Sequence, residues 1–111
     1  MIEIIIRKYL ASQLDVSVYL EIPDKPPEKY VLFEKTGSSK SNHILSATFA
    51  FQSYGKTMLE TAQLNERVKD VVEGLITLDE IRKVELNSDY NYTDTTTKQY
   101  RYQAVFDIGH Y

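Results

Sequence analysis

The chain has 111 residues, 42% of them hydrophobic, which is enough for one core and too little for two ordinary domains. Its 13 basic and 16 acidic residues give a formal charge of -3, which disfavours binding to nucleic acid through phosphate contacts. The chain has no cysteine, so disulfides, thiolate zinc sites and thiol catalysis are excluded. We expect a single domain over residues 1–111, with no signal peptide and no membrane-spanning segment, because no apolar run is long enough.

The first predicted elements are a helix near residues 2–12 and a strand over Val16–Ile22. Ile2, Ile6 and Leu10 recur at helical spacing, and the strand alternates apolar with polar residues. Pro23–Pro27 follows as an extended connector, because its three prolines each fix φ and lack an amide donor.

Two further strands are predicted on either side of a loop. Tyr30–Lys35 forms the second strand, and the small polar residues of Gly37–Asn42 indicate a flexible loop. Leu45–Phe51 then has an apolar residue at every second position, which is typical of a half-buried strand. Gly55 ends this third strand.

A second helix begins after Gly55. Thr57 and Glu60 have the spacing of a capping box, in which each side chain accepts from a backbone amide of the first turn. The apolar residues that follow lie on one stripe, which we expect to pack on the third strand as the main core: Leu64, Val68, Val71, Val72 and Leu75.

The last two predicted strands form a hairpin around Asp94–Thr97. A turn centred on Thr96 predicts these cross-strand pairs: Val84 with Ile108, Leu86 with Phe106, Ser88 with Ala104, Tyr90 with Tyr102, and Tyr92 with Tyr100. This face is apolar at its base and lined by tyrosines at its tip. The opposite face would carry these polar residues: Asn87, Asp89, Asn91, Arg101 and Gln103.

The order is therefore α-β-β-β-α-β-β, an α+β domain with a mostly antiparallel sheet and its helices packed on one face. A hairpin arm of about 11 residues spans about 36 Å, whereas a helix of about 19 residues covers about 28 Å, so the tyrosine tip should overhang the core. Such a tip favours contact with a partner. The other interpretation is that the tyrosines only stabilise their own hairpin. The candidate interface residues are Tyr90, Tyr92, Tyr100, Tyr102, Arg101 and, in the predicted loop, Lys40.

No motif for catalysis, cofactor binding or metal binding is complete. Gly55–Thr57 resembles the end of a phosphate-binding loop, but Ala50 stands where that motif requires glycine. Asp89–Thr93 has the first ligand spacings of a calcium loop, but Tyr100 stands where the bidentate glutamate is required. We therefore expect no enzyme activity, no cofactor and no metal.

Four stretches resemble the tail-terminator, or tail-completion, proteins of long-tailed bacteriophages and prophages: Val18–Pro27, Tyr30–Gly37, Glu85–Asp94 and Tyr100–Ile108. The resemblance runs nearly from end to end and includes the order of elements. It contains no short diagnostic motif and brings no catalytic residues.

The resemblance implies a structural virion protein located at the head-tail junction. Such a protein forms a hexameric ring that caps the tail tube, ends its polymerisation and docks onto the connector or neck proteins of the head. DNA passes through the lumen of the ring without specific binding. Two alternatives stay open: another small neck protein, such as a head-closure or connector protein, and a monomeric or dimeric adaptor that binds a protein partner through its sheet edge.

Overall fold

The computed structural model describes all residues from 1 to 111. Its elements follow the predicted order: α1 (Ile2–Gln13), β1 (Ser17–Tyr19), β2 (Tyr30–Ser41), β3 (Ile44–Gly55), α2 (Met58–Glu73), a 3-10 turn (Gly74–Thr77), β4 (Ile81–Asn91) and β5 (Tyr100–His110). The strands form one sheet in the order β1-β2-β3-β5-β4, and only the β1–β2 pair is parallel. Both helices pack on the same face, so the predicted α+β architecture is confirmed.

The helix α2 begins as its sequence predicts. The backbone amide of Glu60 donates to Thr57 Oγ1 over 3.1 Å, which satisfies one of the amides that the first turn leaves unpaired. The backbone amide of Thr57 donates to no side chain, so only half of the predicted capping box forms. Leu64, Val68 and Val72 are buried, as predicted for the apolar stripe.

A single hydrophobic core lies between the helices and the sheet. The largest fully buried side chains in it include four phenylalanines: Phe33, Phe49, Phe51 and Phe106. The stripe of α2, with Leu75 in the 3-10 turn, shares this core with the third strand, so the predicted main packing contact is confirmed.

The first strand is shorter than predicted. Only Ser17–Tyr19 pairs with β2, whereas Leu20 and Ile22 are 41% and 57% exposed. The alternation of apolar residues continues past the point where the chain leaves the sheet, so alternation alone placed the end of the strand too late.

The prediction of a flexible loop at Gly37–Asn42 is wrong. β2 continues to Ser41 and joins β3 through a two-residue turn, in which Asn42 and His43 have φ values of 50° and 66°. Positive φ at both central positions is the geometry of a type I′ hairpin turn, which matches the twist of the flanking strands. Small polar residues therefore form an exposed hairpin arm here, with one register shift beside Thr36.

The predicted register of the last hairpin holds at its base and fails at its tip. Val84 pairs with Ile108 and Leu86 with Phe106, as predicted. The register then shifts between Leu86 and Ser88, so that Tyr90 pairs with Gln103 instead of Tyr102. A one-residue bulge turns the following side chains to the other face of the sheet.

The tip of this hairpin does not overhang the helix in the way that the length comparison predicted. Asn91 Nδ2 lies 3.6 Å and Thr93 Oγ1 4.0 Å from Met58 Sδ, at the first residue of α2. The comparison of strand length with helix length failed because it did not place the helix along the sheet. α2 starts three residues after the end of β3, level with the hairpin tip. The most exposed arm is instead the β2–β3 hairpin, where every residue from Glu34 to Ile44 is exposed.

Candidate interaction surface

The six predicted interface residues do not lie on one surface. Tyr100 and Tyr102 share a face of β5 with the core residue Ala104, and thus lie on the side of the helices. Tyr90 and Tyr92 lie on the opposite, helix-free face, where they contact Gln103 and Arg101. The prediction that the four tyrosines share one face is therefore wrong, because the bulge in β4 turns Tyr90 and Tyr92 to the opposite face. Lys40 pairs with Leu45, at the other end of the sheet from the hairpin tip.

A row of five tyrosine rings and one arginine crosses the helix-free face from one edge of the sheet to the other. We call it the aromatic row, and its members in spatial order are Tyr19, Tyr30, Tyr54, Arg101, Tyr92 and Tyr90. The row touches all five strands, because its residues lie near the same end of the sheet. Aromatic and cation–π pairs of this kind stabilise the cross-strand arrangement and fix the rings in place.

The two central rings of the row are stacked. The Tyr30 and Tyr54 centroids are 4.4 Å apart with an interplanar angle of 6°, and Arg101 Cζ lies 5.9 Å from the centre of the Tyr54 ring. Tyr30 is almost fully buried and its hydroxyl has no hydrogen-bond partner. Burial, followed by the neighbouring Tyr54, raises the pKa of Tyr30 above its ordinary value of 10.0, so its phenol stays neutral at physiological pH.

Next to the row, side-chain amides join three strands. Gln52 Nε2 donates to Gln103 Oε1 over 2.8 Å, and the Tyr54 hydroxyl donates to Gln52 Oε1 over 2.9 Å. Gln103 Nε2 in turn donates to the Tyr90 hydroxyl. These bonds engage the side-chain amides of Gln52 and Gln103, and a hydrogen-bonded network of this kind holds its side chains rigid.

A carboxylate forms a second bridge across the same face. The Thr48 hydroxyl donates to Asp107 Oδ1 over 2.6 Å, and Asn87 Nδ2 donates to Asp107 Oδ2 over 3.0 Å. These two bonds, the one from Thr48 foremost, lower the pKa of Asp107 below its ordinary value of 3.8. Asp107 therefore carries a fixed negative charge on the helix-free face at neutral pH.

Sequence reasoning missed half of the aromatic row. Tyr19, Tyr30 and Tyr54 were not predicted to act together, although a signal for Tyr54 was present in the alternation of β3. Since Phe49 and Phe51 face the helices, the even-numbered Gln52 and Tyr54 must face away from them. Assembling the row also required the strand order, because Tyr30 and Tyr54 meet only across the β2–β3 pair.

The residues of the two incomplete motifs have structural partners. Thr57 caps α2, and Asp89 is held by Asn65 and Lys69. No three histidine, aspartate or glutamate side chains lie close enough together to hold a metal ion. Neither helix combines the length and apolar character that crossing a membrane requires.

Comparison with known proteins adds no relative to this picture: no protein-family model matches the chain, and no curated protein matches it significantly.

Proposed function

We propose that the protein is a structural virion component of the tail-terminator kind. Subunits would assemble into a hexameric ring that caps the tail tube, ends its polymerisation and joins the tail to connector or neck proteins of the head. The observation that carries this proposal is the open outer edge of β4, which keeps large side chains exposed on both faces of the sheet. Leu86 on the helix side is 43% exposed, and Tyr90 and the adjoining Tyr92 on the helix-free face are 41% and 46% exposed. A lone domain rarely keeps such a strand uncovered, so its contact with another chain is the natural explanation.

Two further features support the proposal. The order of elements is the one that the family resemblance implies. Side-chain hydrogen bonds cross the helix-free face over three strands, β3, β5 and β4, and such a network holds its side chains rigid, which suits a component that must keep its shape within an assembly.

The first test is whether the purified protein forms rings. We expect a concentration-dependent mass of about six subunits by native mass spectrometry, and closed rings with a central hole by electron microscopy. Added tail tubes should carry these rings at one end. A mass that stays monomeric at every concentration, also in the presence of tubes, would overturn the proposal.

A ring through which DNA travels should not hold that DNA. Basic side chains lining the lumen would pair with phosphates and release counterions, which would slow a moving strand. We therefore expect the assembled ring to bind duplex DNA only weakly, even in low salt, where phosphate contacts are strongest. Fluorescence anisotropy with a labelled duplex measures this. Tight binding that weakens steeply with added salt would contradict the passive conduit and indicate a nucleic-acid-binding module.

The open edge of β4 also favours a second candidate function, that of a small adaptor. An extended segment of a partner can add to such an edge as a further strand, with main-chain hydrogen bonds supplying affinity. An adaptor of this type would remain monomeric or dimeric, so the mass measurement that tests the ring also distinguishes the two functions.

A further inference from the structure

The sheet has two open edges, one on each side. β4 pairs with β5 alone, so its outer backbone from Ile81 to Asn91 has no partner strand. On the other side, β1 covers only Tyr30–Leu32 of β2. The rest of β2, which we call the free segment, is Phe33–Ser41, and it is also unpaired on its outer side.

The strand directions of these two edges are complementary. β2 is antiparallel to β3, β3 to β5, and β5 to β4, so three reversals leave β4 antiparallel to β2. If two copies keep the same orientation and are related by rotation about an axis along the strands, β4 of one copy meets β2 of the next in antiparallel pairing. Antiparallel neighbours form the straight, closely spaced hydrogen bonds of an ordinary ladder.

The two edges also lie at the same height in the sheet. Phe33 pairs with Phe51, which pairs with Ala104, which pairs with Asp89. At the opposite end of the free segment, Lys40 pairs with Leu45, which pairs with His110, which pairs with Ile81. Rotation without a shift along the strands therefore brings Phe33–Lys40 of one copy beside Ile81–Asp89 of the other. Tyr90 and Asn91 lie beyond this contact, level with Leu32 and Val31, whose outer side β1 covers.

Charges do not oppose this pairing. At equal height, three of the four charged residues of β4 face uncharged residues of the free segment in the next copy: Lys83 faces Ser39, Glu85 faces Gly37, and Asp89 faces Phe33. The fourth, Arg82, lies in the bulge between Ile81 and Lys83 and has no register partner, and its guanidinium donates to the backbone oxygen of Leu45 in its own subunit. No like charges meet within these three pairs, and like charges directly opposite each other would destabilise a ladder.

We infer that β4 of one copy pairs with the free segment of the next copy, so that the sheet continues from subunit to subunit. The contact is heterologous, since a different edge is used on each side, and heterologous contacts that close by rotation produce rings. Closure covers both long open edges, which removes the aggregation hazard that they pose. Only the outer side of the three-residue strand β1 stays unpaired. This inference rests on the proposed ring for closure, whereas the edge contact itself can be tested separately.

The chain contains no cysteine, so introduced cysteines report contacts without background. Opposite residues in an antiparallel pair have their Cα atoms about 4.5–5.5 Å apart, within the range for a disulfide. We expect a mixture of the single variants Ser39→Cys and Lys83→Cys to form a disulfide-linked heterodimer on mild oxidation, while neither variant alone cross-links. Gly37→Cys and Ser41→Cys, each mixed with Lys83→Cys, cover a register shift of two residues in either direction.

Ser46→Cys is the matched control, because Ser46 lies at the same height but within β3, which is paired on both sides. Mixed with Lys83→Cys, it should not cross-link. Efficient cross-linking of Lys83→Cys to itself would overturn the inference in favour of a twofold contact between two β4 strands. Rings that assemble while all three mixtures fail to cross-link would overturn the edge contact alone and leave the proposed function standing. A chain that forms no ring at all refutes the proposed function instead.

Discussion

Replacing Phe51 with alanine should lower the free energy of unfolding by about 3–5 kcal/mol, the range for removing a buried aromatic side chain. Phe51 is 0% exposed and its ring contacts Phe33 and Phe106, with centroid distances of 5.4 and 5.9 Å. The substitution removes these contacts and leaves a cavity that surrounding strands cannot fill, because β3 is held by ladders on both sides. Chemical denaturation followed by circular dichroism measures the change.

Leu59→Ala provides the control for this prediction. Leu59 lies in α2 and is 68% exposed, so its truncation should change the free energy of unfolding by less than about 0.5 kcal/mol. If Phe51→Ala also changed stability by less than about 1 kcal/mol, β3 would not be the centre of the core.

The parts of the fold that depend on local signals could be predicted from the sequence. The stripe of α2 and the cap at Thr57 are set by residues within one or two turns of each other, and both are confirmed. The base of the last hairpin is confirmed for a similar reason, because Leu86 and Phe106 must both reach the core. Buried apolar residues fix the register wherever one face is covered.

The bulge in β4 could not be predicted in this way. Around Asn87 and Ser88 both faces of the strand are polar, so either register satisfies the alternation equally well. The turn at Asn42 and His43 was missed because serines on both sides resemble a loop in composition, although they form a ladder. The aromatic row depends on strand order and on register, which residues far apart in the chain determine. The sequence therefore predicted only part of it.

What the bulge achieves is visible at Asp89. The shift turns Asp89 to the helix side, where Asn65 Nδ2 donates to its Oδ1 over 2.7 Å and Lys69 Nζ lies 2.5 Å from its Oδ2. Asn65 is almost fully buried, and its Oδ1 has no partner of its own. Asp89 therefore joins the edge strand to α2 through a buried amide and a lysine ammonium group.

Asp89→Ala should lower the free energy of unfolding by about 1–3 kcal/mol, because it leaves the amide of Asn65 without a partner inside the protein. The bond to Asp89, and after it the bond to Glu66, raises the pKa of Lys69 above its ordinary value of 10.5. A raised lysine pKa contributes stability that is fully present below 10.5 and is lost as pH rises through the folded value. The stability difference between wild type and Asp89→Ala should therefore be largest near neutral pH and shrink in strongly alkaline solution.

Glu66→Ala distinguishes the contributions to stability of the two carboxylates that contact Lys69, those of Glu66 and Asp89. Glu66 Oε1 lies 2.9 Å from Lys69 Nζ, but its side chain is largely exposed, so its loss should change stability by less than about 1 kcal/mol. Urea denaturation of both variants, from neutral pH to above the ordinary lysine pKa, tests the comparison. Equal losses for the two variants would mean that the charge of the carboxylate matters and the buried amide does not. The bulge would then serve only to turn Tyr90 and Tyr92 toward the helix-free face, and its contact with α2 would be incidental.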